Sequence, residues 1–349
     1  MLWTDIAIST FKIAFVFFVV LTLVAYLTYA ERRISAFIQD RLGPNRVGPF
    51  GLLQPLADGL KFIFKEDIIP EMVNKPLYIV APAISLVTAL IALAVIPIGY
   101  GFSTTLLGLL KEPVYIRLQI ADINAGVLYV LAVGSLSVYG VVIGGWSSNS
   151  KYSFLGGLRS AAQMISYELS LGLSILGVIA LAGSFRLNDI VEAQSKVWFA
   201  IPQALGFLVF MVASFAETNR LPFDLPEAEP ELVAGYHTEY SSMKFAMFFM
   251  AEYTHMIVAS ALAVCLFLGG WYPLPFGGWF GIDIQKHWYL PPAVFIGKVF
   301  FLLFLFIWVR WTIPRFRYDQ VMRLGWKVLF PLAVLNLIVT SFVMLFVYG

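Results

Sequence analysis

The sequence predicts an all-α polytopic membrane protein with eight transmembrane helices and an amphipathic interfacial helix in the first loop. Three observations carry that prediction. Of the 349 residues, 60% are hydrophobic and only 13% charged, and the mean hydropathy is +0.83. Apolar runs of roughly 20 residues, the length that crosses a bilayer's hydrocarbon core, recur along the whole chain. Lipid offers no partner to open backbone groups, so runs of that kind must be helices.

The spans read as follows. The first, 11–30, is "FKIAFVFFVVLTLVAYLTYA", too long for the apolar region of a cleavable leader and without an A-x-A-like end. The others fall near 78–99, 122–144, 161–183, 198–216, 244–270, 293–312 and 327–348, making 1–349 a single integral membrane domain. Between the first two spans, "GPNRVGPFG" has the Gly and Pro of a turn. Helical periodicity then resumes over about 52–65, where Leu53, Leu56, Leu60 and Ile63 repeat at spacings of three and four. Gln54, Asp58, Lys61 and Lys65 form a second stripe. A helix this short and polar lies in the interface or closes a cavity. Trp271, Tyr272, Trp279, Trp288 and Tyr289 gather between the sixth and seventh spans, as an interfacial aromatic belt does.

Charge sets the expected orientation. Most of the 23 Lys and Arg, among them Arg32, Arg33, Arg220, Arg310 and Arg315, fall on one side of this layout. That side is predicted to be cytoplasmic, with both termini periplasmic. The acids share the bias, so this face reads as a docking surface or polar cavity. A net charge of +2 excludes a polybasic nucleic-acid surface. The single cysteine, Cys265, excludes an internal disulfide or a Cys-held cluster. No nucleophilic triad, P-loop, dinucleotide fingerprint or haem-ligating histidine pair is present.

The cytoplasmic loop 217–243 is the chain's acidic centre. "PFDLPEAEPEL" (222–232) carries Asp224, Glu227, Glu229 and Glu231, with Glu217 before it and Glu239 after. Six acids at mid-bilayer would cost on the order of 15–20 kcal/mol, so the loop faces water or a hydrated cavity. Crowded carboxyls raise one another's pKa values, which suits a proton relay. A solvated loop that pairs with a basic partner fits the same residues. Metal binding does not: the spacing lacks a calcium loop, and His237 with Glu239 makes no zinc motif. Within the spans, Glu168 and Glu252 are intramembrane acids of the kind that mark ion or proton paths. His255 follows Glu252 by one turn and reads as a packing residue. Asp122 opens the third span, where a helix N-terminus favours a carboxylate anyway.

"GLLQPLADGLKFIFKE" (51–66) and "PFDLPEAEPELVAG" (222–235), with "ERRISAFIQDRLGPNRVGP", "SNSKYSFLGGLRSAAQMISYE" and "GYHTEYSSMKF", resemble the quinone-side membrane subunit of respiratory complex I, the proton-pumping NADH:quinone oxidoreductase. The resemblance covers essentially the whole chain and extends to both the bacterial and the mitochondrial members of that family. It implies a subunit at the heel of an L-shaped complex, forming much of the tunnel by which quinone enters from the bilayer. It implies that the chain holds no cofactor of its own: FMN and the iron–sulfur clusters belong to partner subunits, and quinone is the substrate. Expected partners are the peripheral-arm quinone-site subunits, the small membrane subunits, the antiporter-like subunits and lipid, with no nucleic acid. The implied location is a bacterial inner membrane. Carried over residue by residue, Glu31, Arg32, Asp58 and Lys61 match the family's tunnel positions. Glu217, Glu227, Glu229, Glu231, Glu239, Glu168 and Glu252 match the acids of its so-called E-channel, which leads towards the antiporter-like subunits.

Three other functions compete. A stand-alone proton or cation antiporter would be expected to show Lys and Glu mid-span at repeated positions, a pattern not seen here. A related membrane subunit of membrane-bound hydrogenases shares the fold without a quinone. A passive anchor for the peripheral arm needs none of the acids.

Overall fold

A computed structural model describes residues 2–104, 114–225, 232–275 and 288–348. The described residues are helical apart from connections and one short antiparallel hairpin, β1 (Phe102–Thr104) with β2 (Val114–Ile116). In chain order the helices are α1 (Leu2–Ile38), α2 (Gln54–Phe64), α3 (Lys75–Ala92), α4 (Gly126–Ser147), α5 (Lys151–Ala182), α6 (Leu187–Ala193), α7 (Ala204–Glu217), α8 (Ser242–Leu266), α9 (Leu290–Thr312), α10 (Tyr318–Leu324) and α11 (Phe330–Tyr348). A π turn, Gly325–Leu329, joins α10 to α11. Glu227, Glu229 and Glu231 lie outside the described residues, as do Trp279 and His287.

Among the described residues, seven helical stretches are long and apolar enough to cross a membrane: α1, α3, α4, α5, α8, α9 and the continuous run 318–346. The predicted fifth span, 198–216, is instead a turn followed by α7, whose 14 residues rise only about 21 Å. Polar side chains sustain that turn. Gln194 accepts the Phe199 and Gly269 amides (3.1 and 2.9 Å) and donates to the Cys265 carbonyl (2.8 Å). Gln203 donates to Thr340 and accepts from Asn336, each at 2.7 Å. Non-helical backbone at membrane depth survives where protein satisfies it in this way.

α8 is the central helix. Of its most apolar stretch 72% is buried within the protein, against 17% for α1, whose Phe11, Phe15 and Phe18 face outward. Apolar burial does little to drive helices together in lipid, so close contact needs small residues. The α3–α4 and α4–α5 seams have them. A Cβ on Gly140 would come within 2.8 Å of the Ser85 nitrogen, and one on Gly145 within 2.5 Å of the Ser153 carbonyl. A Cβ on Gly156 would meet the backbone of Gly235 and Tyr236 at 2.7 Å. α5 can therefore press directly on Gly235 and Tyr236, just after the acidic stretch 222–232.

Candidate functional site

The site is built at the end of the bundle where α1, α7, α8 and α9 meet the segments 39–74, 218–225 and 232–241. α1 delivers adjacent charges in different directions, because successive helical residues are about 100° apart. Arg32 turns outward to α2, where its guanidinium binds Asp58 at 2.6 Å and Gln54 supports the same carboxylate at 3.0 Å. Half of the Arg32 side chain is exposed. Lys61 points elsewhere on α2, its ammonium 5.2 Å from the Phe62 ring centroid. Glu31 turns inward and is buried.

Around Glu31 the structure assembles a compact cluster of four charges. Arg310, in the last turn of α9, binds its Oε1. The Tyr253 hydroxyl donates to its Oε2 at 2.7 Å. Arg220 lies 3.6 Å from the same oxygen and is ion-paired through Nε to Glu252 on α8. The Arg220 guanidinium also stacks over the Tyr253 ring at 4.1 Å. Only 3% of the Arg220 side chain is exposed. Burial opposes its charge, but Glu252, Tyr253 and Glu31 outweigh that and push its pKa above the ordinary value. Two carboxylates and two guanidiniums make the cluster neutral as a unit.

Glu252 also faces a second space. A cavity of about 30 Å³ is lined by Ser85, Ser137, Glu217, Asn219, Glu252 and His255 among others. Ser85 Oγ and His255 Nε2 are buried beside it, without a hydrogen-bond partner among the described residues. Glu217 enters from the end of α7 and faces the α4 backbone; a Cβ at Gly134 would stand 3.6 Å from its carboxyl oxygen. Glu168 on α5 is partly buried and within Coulombic reach of Glu217.

Other candidates stand apart. Glu239 is partly exposed in the turn before α8; its carbonyl accepts the Tyr78 hydroxyl at 2.6 Å, and it does not line the cavity. His237 is buried against Tyr236, Phe245 and Phe249, and burial lowers its pKa to about 4. Asp122 sits away from the cluster, where hydrogen bonds from Arg186 depress its pKa; Arg117 and Asn188 also hold it. Asp224, at the start of the acidic stretch, binds Arg315 at 3.0 Å. Among the described residues no group of three or more His, Cys, Asp or Glu could hold a metal ion.

The functional residues that sequence reasoning missed are the two arginines. Arg220 had a visible signal, since it is the one basic residue between Glu217 and Glu239. Arg310, in "FIWVRWT", had none beyond its place at a span end.

A family model described as NADH dehydrogenase matches residues 11–341. The first of the NADH-quinone oxidoreductase H subunits of Geobacter metallireducens is 54% identical over 342 residues, covering 98% of each chain. The H subunit of the Leptospira biflexa enzyme is 54% identical over 336 residues, covering 94% of this chain and 92% of its own. The H subunit from Rhodospirillum centenum is 50% identical over 345 residues, covering 97% and 96%. Long apolar helices and likeness along nearly the full length agree: the chain is an integral membrane protein of the NADH-quinone oxidoreductase H-subunit family, a membrane subunit of complex I.

Proposed function

We propose that this chain lines the route by which quinone reaches its reduction site, and carries the electrostatic consequence of that reduction to buried carboxylates. The observation that carries this reading is the position of Arg220. It is shared by Glu31, next in the chain to Arg32, whose half-exposed side chain binds Asp58, and by Glu252, which opens on the cavity with Glu217. A change at one end of that series of charges is felt at the other without any residue moving far. The cavity, with two buried polar atoms that have no hydrogen-bond partner among the described residues, is of a size that suits roughly one or two water molecules, which a proton step can use.

Quinone reduction leaves a negative species that must take up protons. On this reading Arg32 and Asp58 stand on the quinone side with Lys61, and Glu217, Glu252 and Glu168 continue inward, with Glu227, Glu229 and Glu231 at the loop. Glu239 is placed at the edge of that path. The redox centres belong to partner subunits, and the end of the bundle that carries the cluster faces the cytoplasm in a bacterial inner membrane, with both termini on the far side.

The test is made on the assembled complex in membranes. Glu252→Gln, and separately Glu227→Gln with Glu231→Gln, should leave NADH oxidation by ferricyanide intact and lower both quinone reduction and proton pumping. Unchanged quinone-dependent rates and pumping in both would sink the reading.

A further inference from the structure

The cluster depends on the turn that carries Arg220, and one side chain outside the charge network holds that turn. Gln163, on α5, is fully buried. Its Nε2 has two hydrogens, which serve the Ala216 and Phe223 carbonyls, each at 2.8 Å, while Asn219 Oδ1 at 3.2 Å takes a weaker, shared contact. Asn219 is itself braced from α5, donating to Ser160 Oγ at 3.0 Å. The three acceptors bracket Arg220. Ala216 is in the last turn of α7, Asn219 is its neighbour, and Phe223 leads into the acidic stretch. One amide thus ties together both ends of the turn from 216 to 223.

The chemistry admits only one orientation. An amide oxygen in the place of Nε2 would face three oxygens. In the orientation present, Oε1 is buried and unpaired among the described residues. An unpaired buried acceptor is costly, so the group is kept for its donors. Of the turn's own hydrogen bonds, Phe223 to the Arg220 carbonyl is tight (2.8 Å), whereas Asn219 to the Ala216 carbonyl (3.3 Å) and Arg220 to the Phe215 carbonyl (3.4 Å) are long. Gln163 adds two contacts of 2.8 Å that join the start of the turn to its end.

We infer that Gln163 is a positioning residue for coupling. It fixes the 216–223 turn so that the Arg220 guanidinium stands between Glu31 and Glu252 while the Glu217 carboxyl faces the cavity. The inference rests on the function proposed above and adds a residue that carries no charge and touches neither quinone nor proton.

Gln163→Glu is the discriminating variant, because it keeps the shape and removes the donors. Ionised, the new carboxylate faces two backbone carbonyls that cannot turn away. As pH falls it takes up a proton and regains one donor. In membranes with the complex assembled, judged by native gels and NADH–ferricyanide activity, quinone reductase turnover should fall about tenfold, the scale of one or two buried hydrogen bonds. Part of it should return on acidification, whereas Gln163→Leu should be equally impaired at every pH. A purely architectural role would lower the amount of complex and leave the pH profile per complex unchanged. Wild-type turnover and pH profile in assembled Gln163→Glu overturns the inference. If Gln163→Glu does not assemble, Ser160→Ala carries the test: it removes the brace behind Asn219 and, with it, a weak contact with Met164 Sδ at 3.7 Å, and should lower turnover about threefold, in line with one weaker bond. Unchanged turnover there overturns the inference too. Impaired Glu252→Gln with a normal Gln163 series defeats only the positioning role; silence in both series defeats the proposed function.

Discussion

Arg220→Met tests the charge cluster most directly. The wild-type cluster has no net charge: Glu31 and Glu252 against Arg220 and Arg310. Removing Arg220 leaves one negative charge in excess between side chains only 8% and 11% exposed. Its contact with Glu31 at 3.6 Å is worth about 4–5 kcal/mol at an effective dielectric near 20. Removing one partner from a buried pair typically costs about 3–5 kcal/mol, which is the loss expected here. Replacing both members by neutral groups of similar size is often harmless. Arg220→Met combined with Glu252→Gln restores zero net charge, with Glu31 still held by Arg310 and Tyr253. The double variant should therefore recover most of the lost stability, while quinone reduction and pumping stay impaired. The assay is the melting temperature of the purified complex and its yield on native gels, across wild type, both single variants and the double. A coupling of less than about 0.5 kcal/mol in that cycle would refute the assignment of Arg220 as the shared cation.

Three further outcomes follow from the same geometry. Asp58→Ala breaks a pair whose arginine is half exposed, so stability should change by less than about 1 kcal/mol; the apparent KM for quinone should rise, and an unchanged KM would remove the pair from the proposed route. Asp122→Asn weakens its ties to Arg186 and Arg117, and should cost roughly 1–2 kcal/mol of thermal stability with normal quinone turnover; reduced turnover per assembled complex would show that this second charge cluster also serves function. For His237, the folded value of about 4 lies below the ordinary 6.5, so the unfolded chain binds the extra proton between those values. Its stabilising contribution is full above pH 6.5 and is lost towards pH 4, by on the order of 3 kcal/mol. His237→Phe should flatten that acid-side fall in melting temperature, and an identical fall in the variant would rule out His237 as its source.

The sequence showed where apolar helices run, because composition and run length decide that. It did not show that 198–203 is a turn, since "WFAIPQ" is apolar enough to scan as helix. What opens it is hydrogen bonding from Gln194 and Gln203 to residues distant in sequence. The site followed the same division. Glu252 stands out in the sequence as an acid inside an apolar span, whereas Glu31 is marked by the resemblance and Glu217 by the acidic loop. Their grouping does not stand out, because Arg220 comes from the connection after α7 and Arg310 from the last turn of α9, and they meet only in three dimensions. Glu31 and Arg32 are neighbours in the chain, yet helical geometry turns them about 100° apart, one buried and one half exposed. Asp58 lies one turn from Lys61 on its own helix, whereas its partners are Arg32 and Gln54.

The energetics of the cluster bear on why it exists. A neutral group of two carboxylates and two guanidiniums is an expensive way to fill a core, since well-packed apolar residues would often be as stable or more so. Architecture alone therefore does not account for it. On the proposed reading the cost has a use. A negative charge appearing about 10 Å away would shift a buried group by roughly 1–2 kcal/mol at an effective dielectric near 20, about one pKa unit. An apolar wall would not respond to that field. Arg220 can, because it already divides its charge between Glu31 and Glu252. A stronger pull from one side weakens its hold on the other, and Glu252 then faces the cavity and Glu217 with less of its charge compensated. The neutral cluster keeps that response small at rest, and the tie from Gln163 keeps Arg220 from leaving either partner.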